Sequence, residues 1–312
     1  MGCDHTKKGH LEDISALDID DGDQMIIFGS HSGSVSVANY KNLGREKWKK
    51  PMTLKLQKHA LKTIKWCPID LRLFMVTSAA NWMRICDAPA EKVINSHQFD
   101  GDVHFDWNQH NTSEILVDLI LKKRKNRVGM SLPSIIRWED VVMDAVQWFP
   151  SKHHYVYVAR RDGKVGVFDV RSTRGVLAEK KIHYASVFEM RFSSDGSRLV
   201  TADRSGHIHV ADTWDLSTKS QFHGTPAQFH HRRPSMELME NQGDLYLAVN
   251  LDRLTIVKFP GHGGQDYDEI DAKVLWDKPM VFRKSSYELI TGHQYNYLNL
   301  LTRRNDGCTN VL

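Results

Sequence analysis

Apolar and polar positions alternate along this chain in short bursts, and the bursts recur. An apolar-x-apolar step leads to a large residue, then a short polar turn, then a β-rich run. The step ends at Ile19, Trp66, Trp107, Trp148, Phe192, Leu238 and Phe282, positions 41 to 47 residues apart. Alternation of this kind marks half-buried strands rather than amphipathic helices. In the second unit it predicts strands over 62–66, 73–78 and 82–87. In the fourth and fifth it predicts them over 144–148, 155–159, 164–169, 198–202 and 207–212. The last two units add 245–249, 254–259, 287–291 and 297–301. Asp162-Gly163 sits between two such runs as a hairpin turn, and Ser205-Gly206 repeats it. The second strands are apolar throughout, as strands covered on both faces are. No long helix is predicted, and 40–51 and 260–270 read as outer loops.

A period in the forties with several strands per unit is the mark of a β-propeller blade. The expectation is an all-β, seven-bladed propeller filling residues 1–312 as a single domain. Its blades fall at 11–57, 58–98, 99–138, 139–181, 182–225, 226–276 and 277–312. The last blade lacks an outer strand unless residues 2–8 or 308–312 supply it. Such an architecture presents turns on two rims, which suits binding rather than catalysis.

Composition fits a soluble globular chain, with 41% hydrophobic and 26% charged residues. The net charge of +4 is too mild to argue for direct nucleic-acid contact. Cys3, Cys67, Cys86 and Cys308 are scattered without C-x-x-C spacing. That excludes a disulfide framework and a zinc site from the reading, and it suits a reducing compartment. No apolar run is long enough to span a bilayer. Met1-Gly2-Cys3-Asp4-His5-Thr6 satisfies the N-myristoylation pattern, with Lys7-Lys8 beside it. It reads either as a chance match or as a lipid anchor, and no membrane partner is expected.

Catalytic signatures are missing from the sequence: no P-loop, no G-x-S-x-G and no H-E-x-x-H. His153-His154, His207, His209 and His230-His231 lack supporting carboxylates or thiols at ligand spacing, so they read as structural or surface residues. No enzyme activity, metal or cofactor is expected. Lys122, Lys123, Arg124, Lys125 and Arg127 place five cations in six residues between strands of the third unit. That run is either a solvated hairpin tip or a nuclear-localisation or acidic-partner patch. Val167-Phe168-Asp169-Val170-Arg171 ends the third strand of the fourth unit. Asp169 reads in part as a turn cap. Arg171 falls just past the strand end, on a rim, where the sequence shows no internal duty for it. A guanidinium there can grip a partner's carboxylates or carbonyls in bidentate fashion.

These residues resemble the WD-repeat family, in which a Trp-Asp pair closes the hairpin at this place. Here Phe168 stands for the tryptophan, the pair becomes Cys86-Asp87 and Ala211-Asp212 elsewhere, and Asn39 holds the place in the first unit. Few units keep the pair, so hydrogen bonds between turn and strand are expected to be sparse. Val156, Val158, Ala159, Asp162, Val167, Asp169, Val170 and Arg171 also resemble the WDxR motif of propellers that dock on the damaged-DNA-binding adaptor of cullin-4 ubiquitin ligases. Segments 14–19, 63–68 and 145–150 resemble the DNA-excision-repair receptors of that group. The resemblance implies a substrate receptor of a cullin-4–RING ligase in transcription-coupled nucleotide-excision repair. Its partners would be the adaptor, held at Asp169, Val170 and Arg171, together with repair factors and stalled RNA polymerase II. Its place would be the nucleus, with a cytoplasmic pool. The resembled receptors carry a longer N-terminal docking segment than the ten residues that precede the first unit here. The alternative is an interaction scaffold of another pathway, without a ligase partner.

Overall fold

Consecutive runs pair as antiparallel strands, and in a computed structural model of the protein they fall where the alternation puts them. The structure describes residues 13–42, 52–56, 58–99, 103–109, 115–119, 143–172, 175–223, 235–241, 243–250, 254–260, 279–283, 285, 288–292, 298–304 and 307–311. The first sheet pairs β1 (Ile14–Ile19), β2 (Met25–Ser30), β3 (Ser34–Asn39) and β4 (Met52–Lys55) in sequence order. The second pairs β5 (Leu61–Trp66), β6 (Leu73–Ser78), β7 (Trp82–Asp87) and β8 (Lys92–Gln98). β9 (Val103–Trp107) and β10 (Ile115–Leu119) pair alone. Two four-stranded sheets follow: β11 (Met143–Trp148), β12 (Tyr155–Arg160), β13 (Lys164–Asp169) and β14 (Val176–Lys181), then β15 (Val187–Phe192), β16 (Arg198–Asp203), β17 (His207–Asp212) and β18 (Thr218–His223). β19 (Ser235–Asn241), β20 (Asp244–Asn250) and β21 (Leu254–Phe259) form a three-stranded sheet. The last sheet holds β22 (Met280–Arg283), β23 (Glu288–Gly292), β24 (Leu298–Arg304) and β25 (Gly307–Val311), so its outer strand comes from the C-terminal residues.

The expectation of seven blades is corrected here to five. Among the described residues only five sheets have the four strands of a blade, and the third and sixth units contribute two and three strands. The sequence carries the physical reason. After β10 the third unit runs into Lys122–Arg127, whose cations repel one another, and then Pro133, which cannot donate to a ladder. After β21 the sixth unit runs into Pro260, Gly261, Gly263 and Gly264, residues that discourage a further strand.

The chain divides into two compact units, residues 1–99 with 278–312 and residues 100–277. In the first unit Ala16, Ile27 and Val35 of one sheet pack with Leu61, Ile64, Trp66 and Phe74 of the next. Leu17, Ile19 and Ile26 pack with Val281 and Ile290. In the second unit Tyr157, Ala159 and Val165 share a core with Val187, Met190 and Leu199. Phe188, Val200 and Ile208 share another with Leu245, Leu247 and Val257. Burying such side chains contributes about 1.5–3 kcal/mol each, and this is what holds neighbouring sheets together. The central strands β6, β12 and β16 are buried at every position after the first.

Inner strands add a repeated polar latch. The residue just before the large apolar one reaches the next sheet in its own unit. Asp18 Oδ2 accepts the Trp66 amide at 2.7 Å in the first unit, and Asp106 Oδ2 accepts the Trp148 amide at 3.0 Å in the second. At the same step Arg191 donates to Glu237 at 3.1 Å and also to Glu189. Burial opposes its charge, and the two glutamates more than restore it. A bulge recurs at the start of four inner strands, between Ile14 and Ala16, Leu61 and Thr63, Met143 and Ala145, and Val187 and Glu189. Each bulge shifts the register by one residue and re-aims the side chains beyond it. Outer strands face water: β14 is exposed from Leu177 to Lys181, and β8 is exposed at all positions but His97.

Candidate functional site

The turn that follows the third strand of a blade forms the candidate rim. In each of four blades the last residue of that strand caps the turn with its side chain. Asn39 Oδ1 accepts the Lys41 amide at 2.9 Å, and Asp87 Oδ1 accepts the Ala90 amide at 2.9 Å. Asp169 Oδ1 accepts the Arg171 amide at 2.9 Å, and Asp212 Oδ1 accepts the Trp214 amide at 2.8 Å. Asp and Asn favour such turns because their short side chains reach a backbone N–H two residues on. The sparse turn bonding expected from the loss of Trp-Asp pairs is therefore not seen at these four turns. The carboxylate or amide does the capping without the tryptophan.

Val170 is tied by its amide to the His154 carbonyl at 2.9 Å. Arg171 does have an internal partner. Its Nε donates to Asp169 Oδ1 at 3.0 Å and its Nη2 to Oδ2 at 2.7 Å, a bidentate pair in which the arginine side chain stays 63% exposed. The Arg171 hydrogen bond holds the Asp169 carboxyl down at about 2. Burial and then the Arg171 charge lower His154. The pair fixes the guanidinium at the rim with Nε and Nη2 engaged, so the group is presented in one orientation. Phe168, where a tryptophan would stand in a WD pair, is buried against Trp148, Val156 and Val158. Lys122, Lys123, Arg124, Lys125 and Arg127 lie outside the described residues, as do Gly2 and Cys3.

The same rim carries an aromatic group one blade further on. Trp214 occupies the place in its turn that Arg171 occupies in the preceding one. Its ring meets Phe149 at 5.4 Å and Tyr155 at 6.5 Å, both edge-on, and Lys152 Nζ stands 4.6 Å from its centroid. The Tyr157 hydroxyl donates to the Thr213 carbonyl at 2.8 Å beneath it.

At the opposite end of these strands the histidines have structural work. Buried His183 places Nδ1 3.1 Å from Asp203 Oδ2 and Nε2 2.7 Å from Thr201 Oγ1. Asp203 Oδ1 also accepts the Ser205 and His207 amides at 2.8 and 3.0 Å. Burial raises the Asp203 carboxyl, but these bonds outweigh it and leave it lowered. His209 stacks on His183 at 4.3 Å, and His207 meets His223 edge-on at 4.7 Å. His209 is held down at about 4, by burial first and then by the His183 charge. Among the described residues no group of three or more His, Cys, Asp or Glu is arranged to hold a metal. Cys67 and Cys86 are buried free thiols, and burial pushes Cys86 up to about 12.

Sequence reading missed His183, Thr201, Lys152 and Trp214. Trp214 could have been found by aligning Asp212 with Asp169 and asking what stands two residues on. His183 could not, since it lies twenty residues before its partner Asp203 and meets it only through strand pairing.

Comparison with known proteins agrees with this architecture. Residues 176–212, which span β14 to β17, match the WD domain, G-beta repeat family. The eukaryotic translation initiation factor 3 subunit I of Candida glabrata is 24% identical over 79 residues, which are 25% of this chain and 23% of that protein. The chain thus spans less than a quarter of that relative's length. The crystal structure of the Myceliophteria thermophila Cps50 (Swd1) β-propeller domain superimposes with a TM-score of 0.72 at 14% identity, covering 96% of this chain and 100% of that one. The matched repeat and the shared fold together support a WD-repeat β-propeller.

Proposed function

We propose that the chain is a non-enzymatic docking scaffold, and that its rim at Asp169, Val170 and Arg171 is the surface a partner protein holds. The observation that carries this is the bidentate Asp169–Arg171 pair, which sets an exposed guanidinium in a fixed orientation on a capped turn. A preset donor costs little ordering entropy when a partner's carboxylate or carbonyl arrives. The finer reading follows the sequence resemblance. The partner is the damaged-DNA-binding adaptor of a cullin-4–RING ligase, and the chain acts, like the Cockayne syndrome group A protein, as a nuclear substrate receptor in transcription-coupled repair. A second reading, a subunit of a translation-initiation assembly, is favoured by the 79-residue match.

Affinity purification of the full chain with mass spectrometry, before and after ultraviolet damage, separates the two. Recovery of the adaptor with wild type and its loss with Arg171→Glu supports the ligase reading. Recovery of initiation-factor subunits and never the adaptor supports the second. Adaptor binding unchanged by Arg171→Glu removes the rim assignment.

A further inference from the structure

The first and last sheets meet inside the first unit, and among the described residues no strand crosses between them. Each takes its four strands from its own end of the chain, β1 to β4 from residues 14–55 and β22 to β25 from residues 280–311. No backbone ladder ties these two sheets together there, so side chains do the joining.

The apolar part of this seam is thin. Among the described residues, Val281 and Ile290 are what the last sheet sends into the core it shares with Leu17, Ile19 and Ile26. The second sheet sends Leu61, Ile64, Trp66, Phe74, Val76 and Cys86 into its core with the first. Apolar stabilisation scales with buried area, so the first-to-last seam is the weaker of the two. Segments with few buried apolar contacts are the ones that open locally.

Polar groups reinforce the seam. Tyr40 packs against its core, and the Tyr40 hydroxyl donates to Glu288 Oε2 at 3.0 Å. Arg283 Cζ stands 4.3 Å from the centre of the Tyr40 ring, and Arg283 donates to the same Glu288 oxygen at 2.8 Å. Burial first, then Glu288, pushes the Tyr40 hydroxyl up to about 12, so it remains a donor at any ordinary pH. Asp23 adds a second tie, its carboxylate accepting the Ser285 amide. Asp23 is buried and has φ +53°, a left-handed conformation that aspartate tolerates better than most residues. Asp20 fixes that turn by accepting the Gln24 and Met25 amides at 2.7 and 2.6 Å. The bent turn aims the Asp23 carboxylate across the seam.

We propose that Tyr40, Asp23, Arg283 and Glu288 form a clasp, and that undoing it opens the seam between the first and last sheets while the core between the first and second sheets stays closed. Hydrogen bonds weaken steeply once their partners misalign, so the clasp releases over a small displacement. The inference concerns the fold's own motion and needs no docking partner.

The test is native-state thiol labelling of the full chain, read at each cysteine by mass spectrometry. Val281→Cys places a thiol of similar size in the seam. Native Cys86, 0% exposed in the core between the first and second sheets, is the internal control. Each rate is compared with that of the same thiol in the Val281→Cys parent. Tyr40→Phe keeps the ring beside Arg283 and removes the hydroxyl, and labelling at position 281 should quicken about tenfold while Cys86 holds its rate. Asp23→Gly suits the positive φ and removes the carboxylate, so it should quicken labelling at position 281 severalfold, and it serves where Tyr40→Phe does not fold. Asp23→Asn, which keeps an oxygen and the same tolerance of the turn, should restore most of the protection. Labelling at position 281 that neither Tyr40→Phe nor Asp23→Gly changes overturns the proposal. So does a parallel rise at Cys86, which would mark a general loss of stability rather than an opening seam.

Discussion

Asp203 answers several buried donors at once in the second unit, and replacing it with alanine should be severe. Its carboxylate is 1% exposed and faces His183 Nδ1 at 3.1 Å, the Ser205 amide at 2.8 Å and the His207 amide at 3.0 Å. Hydrogen bonds to a charged group contribute about 1.5–3 kcal/mol each, but these share one acceptor and do not add. Removing one member of a buried, hydrogen-bonded pair costs about 3–5 kcal/mol, because the partner is left desolvated. Asp203→Ala should therefore lose about 3–5 kcal/mol, a large part of the ~5–15 kcal/mol that holds a typical domain. Asp203→Asn keeps an oxygen for the turn amides and loses the charge, and should cost about 1–3 kcal/mol. Urea unfolding followed by far-UV circular dichroism measures both. The two variants should move the midpoint downward in that order. A loss under about 1 kcal/mol for Asp203→Ala would refute the account, since surface substitutions behave that way.

Three other outcomes follow from the same geometry. Gly163 has φ +85°, and a Cβ there would lie 2.0 Å from the His183 carbonyl oxygen, so Gly163→Ala should cost about 2–5 kcal/mol in the same denaturation assay. Trp148→Ala should cost about 3–5 kcal/mol, whereas Trp148→Phe should cost less than about 1.5 kcal/mol, since the buried Nε1 has no hydrogen-bond partner to lose among the described residues. His209 takes a proton near 6.5 when unfolded but only near 4 when folded, so the unfolded chain binds more protons between those values. The melting temperature should hold above pH 6.5 and fall as the pH drops toward 4, and His209→Gln should flatten that slope in a scanning-fluorimetry series.

The strands were legible because their signal is local. Val156 to Ala159 and Leu199 to Ala202 alternate nothing and are buried on both faces, whereas Val165 and Val167 alternate with Lys164 and Gly166 as a half-covered strand would, yet the strand is buried throughout from Val165 to Phe168. Asp169 was legible as a turn cap for the same reason. The duty of Arg171 was not, because a two-residue loop-back depends on the turn's dihedrals rather than on residue order. The latches at Asp18 and Asp106 were hidden in plain sight inside the repeated step, where attention falls on the apolar positions on either side. Counting large residues overestimated the blades: it marks inner strands, and β9 and β19 are present, but it says nothing about whether third and fourth strands follow. The His183 network is invisible to any window shorter than a blade.

The outer strands also decide how this chain avoids sticking to its copies. An outer strand leaves one row of backbone donors and acceptors open, a template for a stranger's strand. β14 guards that row with Glu179, Lys180 and Lys181, and β18 with Lys219. β8 offers Val93 and Ile94 to water, 39% and 53% exposed, with one lysine at its beginning. Of these three outer strands β8 should therefore be the first to self-associate on heating, and Ile94→Lys should delay the rise in light scattering that reports it.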